Sequence, residues 1–346
     1  VLVFGQCDEP TGLLSAIIAE TQASRATARL CFKGKVGFDE PVQTHVSQTL
    51  LPLVDRILAE LKLLPPNVAL TAQNLGAASS LDVGLRVGGF SADAALFLAM
   101  LAAGLQLDVP DDLVATGHIA SGDGHITAVR ALPAKLAAAK AHREIQKFIY
   151  PDLERDRSLA VLSPAGLDRS RQALIDARDG LRLVAVGDIA ELVREVFSEE
   201  AFVLASLRSG FYQSKFDAVR PLDPVSATID LLTKNNEQRF WSSLQHHFIQ
   251  GNGDKGKQLL AALAHFYFQR RRYPRRLGGQ LTELFAALPP VVRKLKMTFP
   301  LLEKGLAIRL SQFAHPADHE DVALLFETLR GKTPSEPPRV INNGCD

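Results

Sequence analysis

The chain is poor in cysteine: Cys7, Cys31 and Cys345 are the only three in 346 residues, and they stand far apart. No C-x2-C or related spacing is present, which excludes a disulfide framework and a cysteine-based metal knuckle. A sparse, odd set of cysteines without a signal-peptide pattern predicts a reducing, cytoplasmic setting. Long hydrophobic runs are lacking as well. The stretch from Ala94 to Leu107 is too short to span a bilayer, so no membrane partner is expected. Charge of one sign is not in excess either. Thirty-nine basic side chains face 38 acidic ones for a net +1, which rules out a uniformly basic nucleic-acid coat and an acidic solvating protein. No internal repeat of about 20–50 residues is visible. A complete phosphate loop is also missing. GNGDKGKQ (251–258) nearly fits G-x-x-x-x-G-K-[ST], but Gln258 replaces the magnesium-binding hydroxyl and a helix-like stretch precedes it. A loop between helices explains it better, so the chain has no ATPase of its own in this reading.

What is present suffices for a substantial core: 47% of residues are apolar and 22% charged. The balanced total hides an asymmetry. Residues 201–346 carry 20 basic and 13 acidic side chains, whereas residues 1–200 carry 19 and 25. The two halves could attract each other between subunits, or the positive half could face an anionic partner.

Apolar periodicity divides the chain. Residues 1–37 read as strands, 42–62 as an amphipathic helix closed by Pro65-Pro66, and 67–75 and 80–87 as strands. After Gly88-Gly89 comes a helix apolar on nearly all sides, opened by Ser91. Residues 113–119 read as a core strand, joined to an edge strand (124–130) through the turn at Gly122-Asp123-Gly124. A helix over 133–142 follows, with Pro133 in its first turn, then strands at 147–150 and 181–186 and a helix (189–197) capped by Asp188. Beyond this the period is helical throughout. The expected organisation is an α/β (α+β) domain over 1–198, a mostly α-helical domain over 199–331, and a loose tail over 332–346.

Three residues could carry chemistry. Ser91 follows two glycines at a helix start, where unpaired amides and the helix dipole could hold an oxyanion beside a hydroxyl nucleophile. A serine in that place is also an ordinary cap. Lys135, 44 residues on, lies in LPAKLAAA. Turned inward it would be desolvated, its pKa would fall, and a neutral amine could act as general base. Turned outward it would be a solvated surface lysine. Thr116, at the end of the core strand, could orient that amine, or simply pack.

Taken together, Ser91-Ala92 before a long apolar helix, VATGHI (114–119), a glycine turn, LPAKLAAAKA (132–141) and KFIYP (147–151) resemble the proteolytic domain of the Lon proteases. The likeness extends over about 1–197, from the opening strands to LRLVAVGDIAELVREVF. It implies a Lon-type fold and a serine endopeptidase with a Ser-Lys dyad. Ser91 would be the nucleophile, Lys135 the general base and Thr116 its companion, with no cofactor and no metal. It also implies a homo-oligomer, a six-membered ring, acting on unfolded or flexible polypeptide, with any ATPase supplied by a separate partner. Gly88, Phe90, Asp93 and His118 stand where the family has aspartate, proline, glycine and glutamate. Such departures leave open an alternative the family also implies, a catalytically silent assembly module that binds DNA or a partner ATPase. The contact for that role would be the basic run QRRRYPRR, with Arg270, Arg271, Arg272, Arg275 and Arg276, and its nucleic-acid binding would fall steeply with salt. A solvated helix end explains the run equally well. His315 and His319, four apart, have a metal-pair spacing without an obvious third ligand.

Overall fold

A computed structural model describes residues 2–4, 11–22, 28–75, 86–156, 162–209 and 223–235, with a few helical positions up to 246. The chain divides into two compact units, Val1–Asn236 and Glu237–Asp346. The first is mixed α/β, with several small sheets and eight α-helices among the described residues. In the second, residues 238–240, 242–243 and 246 are helical.

Strands β1 (Leu2–Phe4) and β2 (Thr11–Leu13) pair antiparallel. Strands β3 (Ser15–Gln22) and β4 (Leu30–Lys33) flank β6 (Asn67–Asn74), antiparallel and parallel respectively, and β5 (Gly37–Phe38) pairs with β7 (Arg86–Val87). Between β5 and β6 the helical stretch is not uniform. Helix α1 (Glu40–His45) passes through a π-turn (Val46–Leu50) into α2 (Leu51–Glu60). The wider turn has a local cause. Pro52 has no N–H to donate and its ring crowds the carbonyl four residues back. The Leu51 amide instead reaches Val46 O, five residues back. The alternation of large apolar residues in this segment buries Val42, Val46, Leu50, Leu53, Val54, Ile57 and Leu58.

The layer that positions the site is a parallel sheet ordered β12 (Arg182–Val186), β11 (Lys147–Pro151), β8 (Leu113–Ala115). Side chains alternate across it as a strand requires. Ala115, Ile149 and Val186 face a core shared with α3 (Asp93–Leu105) and α6 (Ile189–Val196). Val114, Phe148 and Leu183 face a second core with α4 (Leu132–Ala141) and α5 (Pro164–Ala177). Helix α3 is apolar nearly all round because it is buried nearly all round. The stretch 113–119 is not one strand. It bends at Thr116-Gly117, and β9 (His118–Ile119) leaves the sheet to form a hairpin with β10 (Ile126–Thr127). Gly117 permits the bend, since a Cβ there would lie 2.6 Å from Ile126 Cγ2. Helices α7 (Glu199–Arg208) and α8 (Pro224–Thr233) follow, and Val225, Ile229 and Leu232 of α8 join the α3 core. Among the described residues no helix is long and apolar enough to cross a membrane.

Candidate active site

Helix α4 starts from Ala131, a non-glycine residue in the left-handed region (φ 56°), and buries Leu132, Lys135, Leu136 and Ala139. That spacing is one helical stripe, so Lys135 occupies an inward position among aliphatic neighbours. The side chain is 1% exposed. Burial pushes the amine down from 10.5 to about 7. Its Nζ donates to Thr116 Oγ1 at 3.2 Å.

Thr116 is fully buried at the end of β8, where its amide still follows the sheet by donating to Ile149 O. Its hydroxyl donates to Ser91 O at 3.0 Å, and the Gly117 amide donates to the same carbonyl at 3.1 Å. Lys135, Thr116 and Ser91 therefore form one hydrogen-bonded chain, amine to hydroxyl to carbonyl. Ser91 comes from the α3 side of the sheet and Lys135 from the α4 side, and each contacts Thr116 at the end of β8. The link to Ser91 runs through its backbone. Among the described residues Ser91 Oγ makes no hydrogen bond, to Lys135 or to any other group.

The helix begins slightly later than the sequence reading has it. Ala92 holds the N-cap position and Asp93 is the first helical residue. The reason lies in the Ser91 carbonyl, which is held sideways by Thr116 and Gly117. The Asp93 amide donates to Phe90 O and the Ala94 amide to Gly117 O, both at 3.2 Å. Among the described residues the Ser91 and Ala92 amides have no acceptor. Two amides at the positive end of α3, beside a hydroxyl, are suited to a developing oxyanion.

Next to this chain lies a cluster that sequence reasoning did not assemble. Asp93 is fully buried. Its Oδ2 accepts from His118 Nδ1 at 2.7 Å, from the Ile119 amide at 3.1 Å, and contacts His45 Nε2 at 3.1 Å. The hydrogen bond to Asp93 raises the pKa of His45 above the ordinary imidazole value, against the opposing effect of burial. The Phe90 ring stacks on His118 with centroids 5.1 Å apart and packs at a tilt against His45 with centroids 4.8 Å apart. In the sequence Asp93 and His118 stand out only as departures from a family pattern. That both change, and that the two positions meet, is the signal that pairing them would have used. His45 gave no signal, being 48 residues from Asp93.

Arg270, Arg271, Arg272, Arg275 and Arg276 lie outside the described residues, as do residues 251–258, His315, His319, Cys7 and Cys345. No family model matches the chain, and no curated protein matches it.

Proposed function

We propose that the chain is a Lon-type serine endopeptidase working through a Ser-Lys dyad. The single observation that carries this reading is a lysine amine 1% exposed, with a pKa near 7, hydrogen-bonded to a threonine that holds the backbone of a serine. A buried amine with one polar partner is an expensive arrangement for a merely structural role. In the proposed reaction Ser91 Oγ turns toward Lys135 Nζ and gives it a proton while attacking a peptide carbonyl. Catalytic contacts that are loose in a free enzyme commonly tighten when substrate binds. The Ser91 and Ala92 amides receive the oxyanion. Protonated Lys135 then gives its proton to the leaving amine, and a water activated by the same amine hydrolyses the acyl-enzyme. Thr116 keeps the amine in place. The unfolded or flexible substrate, the hexameric ring and the separate ATPase partner belong to this proposal as consequences of the family resemblance.

The test compares turnover of casein and of a flexible peptide by wild type, Ser91→Ala and Lys135→Met. Loss of at least about 10³-fold in both variants is expected. The wild-type rate should rise through an apparent pKa near 7, as the amine loses its proton, and level off above. Equal turnover by wild type and Ser91→Ala would refute the peptidase.

A second reading, the silent assembly module that binds DNA or a partner ATPase, draws on the lack of a Ser91 Oγ hydrogen bond to Lys135. It would be favoured by a wild type without turnover that binds duplex DNA in a strongly salt-dependent way.

A further inference from the structure

We propose that His45, Asp93 and His118 form a binding site for one divalent transition-metal ion of the zinc class. The inference stands apart from the peptidase reading. Two imidazoles and one carboxylate are a donor set suited to such an ion, and three protein ligands leave a coordination position open. Their ligand atoms, His45 Nε2, Asp93 Oδ2 and His118 Nδ1, all lie within 4.8 Å of one another. The three residues come from three separate elements, the end of α1, the first turn of α3 and the start of β9, so the fold and not a flexible loop gathers them.

An independent observation points to a cation ligand at this carboxylate. The Asp93 carboxylate is fully buried and lopsided. One oxygen, Oδ2, is crowded by three nitrogen groups, while Oδ1 is buried without any partner. A purely structural carboxylate at this depth would be expected to use both oxygens. An ion bound to this carboxylate replaces two competing hydrogen bonds on one oxygen and offers the orphaned one a positive charge. The Ile119 amide then remains as the outer hydrogen bond that fixes the carboxylate. The Phe90 ring supplies an apolar cover over the imidazoles. On the α1 side His45 also lines an open depression of about 470 Å³ with Glu40, Pro41, Thr44, Gln48 and Thr49. The bound ion ties β9 to the Phe90–Asp93 turn that carries Ser91.

The experiment uses the full chain, stripped by a chelator and titrated with Zn²⁺ by calorimetry and with Co²⁺ by visible absorption. Binding of about one ion per chain is expected, with the intense ligand-field bands of a four-coordinate Co²⁺ site. His118→Gln and His45→Gln should each weaken binding by at least about tenfold, as should Asp93→Asn. Ser91→Ala should bind as wild type does, so failure of the peptidase would leave this site intact. His315→Ala/His319→Ala should also bind as wild type, which separates the site from that second histidine pair. Where a ligand variant does not fold, the wild-type stoichiometry and Co²⁺ spectrum still decide. Absence of stoichiometric binding, a six-coordinate hexaaqua-like Co²⁺ spectrum, or equal affinity in a folded His45→Gln/His118→Gln variant would overturn the proposal.

Discussion

The amine of Lys135 makes the molecule's stability depend on pH in a particular direction. In the unfolded chain it titrates near its ordinary 10.5, and in the folded chain burial brings it to about 7. Below about pH 7 both states hold the proton, and the penalty for burying the charge is fully present. Between 7 and 10.5 the unfolded state holds a proton that the folded state has released. Folding stability therefore climbs with pH through this window. Lys135→Met keeps an unbranched side chain one atom shorter and removes the charge. It should raise stability at neutral pH by about 1–3 kcal/mol and abolish the climb. Urea unfolding at several pH values checks both. An unchanged pH slope in the variant would show that another group carries it. Thr116 adds a constraint of its own. Because its hydroxyl proton goes to the Ser91 carbonyl, it can only accept from the amine, whichever protonation state the lysine has.

At the scale of elements, helix α6 illustrates how local chemistry supports the site sheet. Asp188 caps it, its side chain accepting from the Glu191 amide at 2.9 Å, while the residue also bridges to His125 beside the β9–β10 hairpin. Glu191 in turn pairs with Arg155 and accepts from the Gly187 amide. Asp188→Ala should cost about 1 kcal/mol or somewhat more, with the largest loss of amide protection at the start of α6. Chemical denaturation and hydrogen exchange measure it, and a change confined to distant elements would speak against the capping account. This cap was legible because an aspartate before an amphipathic run is a local signal. Strands β6, β11 and β12 were legible for the same reason, as short apolar runs between turn residues. Other features were not. Helix α5 went unread because few of its residues are fully buried, so its sequence lacks an apolar stripe. The inward placement of Lys135 could not be read from LPAKLAAAKA, where alanines on every side leave no contrast between faces. The break at Thr116-Gly117 depends on α3 and Ile126 packing close to Gly117, and a strand-like sequence does not announce that. The hydrogen-bonded path from Lys135 to Ser91, and the meeting of His45 with Asp93, are contacts between distant segments and have no local trace.

For the whole molecule, the first compact unit runs to Asn236 and includes α7 and α8, whose apolar residues complete the α3 core. The opposite net charges of residues 1–200 and 201–346 suit contacts between copies of the chain. Light scattering of the full chain should give about six times the mass of one chain if the proposed ring forms. A clean monomer at high concentration would refute a stable ring. The placement of the site across the sheet has a further consequence. The serine and the lysine are mounted like opposing jaws, one fastened to each helical layer, with the threonine at the pivot. A slip of one layer past the other by an ångström would change their reach without disturbing either residue's own packing. On the proposed peptidase reading, the outer helices would therefore be a mechanical handle on the dyad.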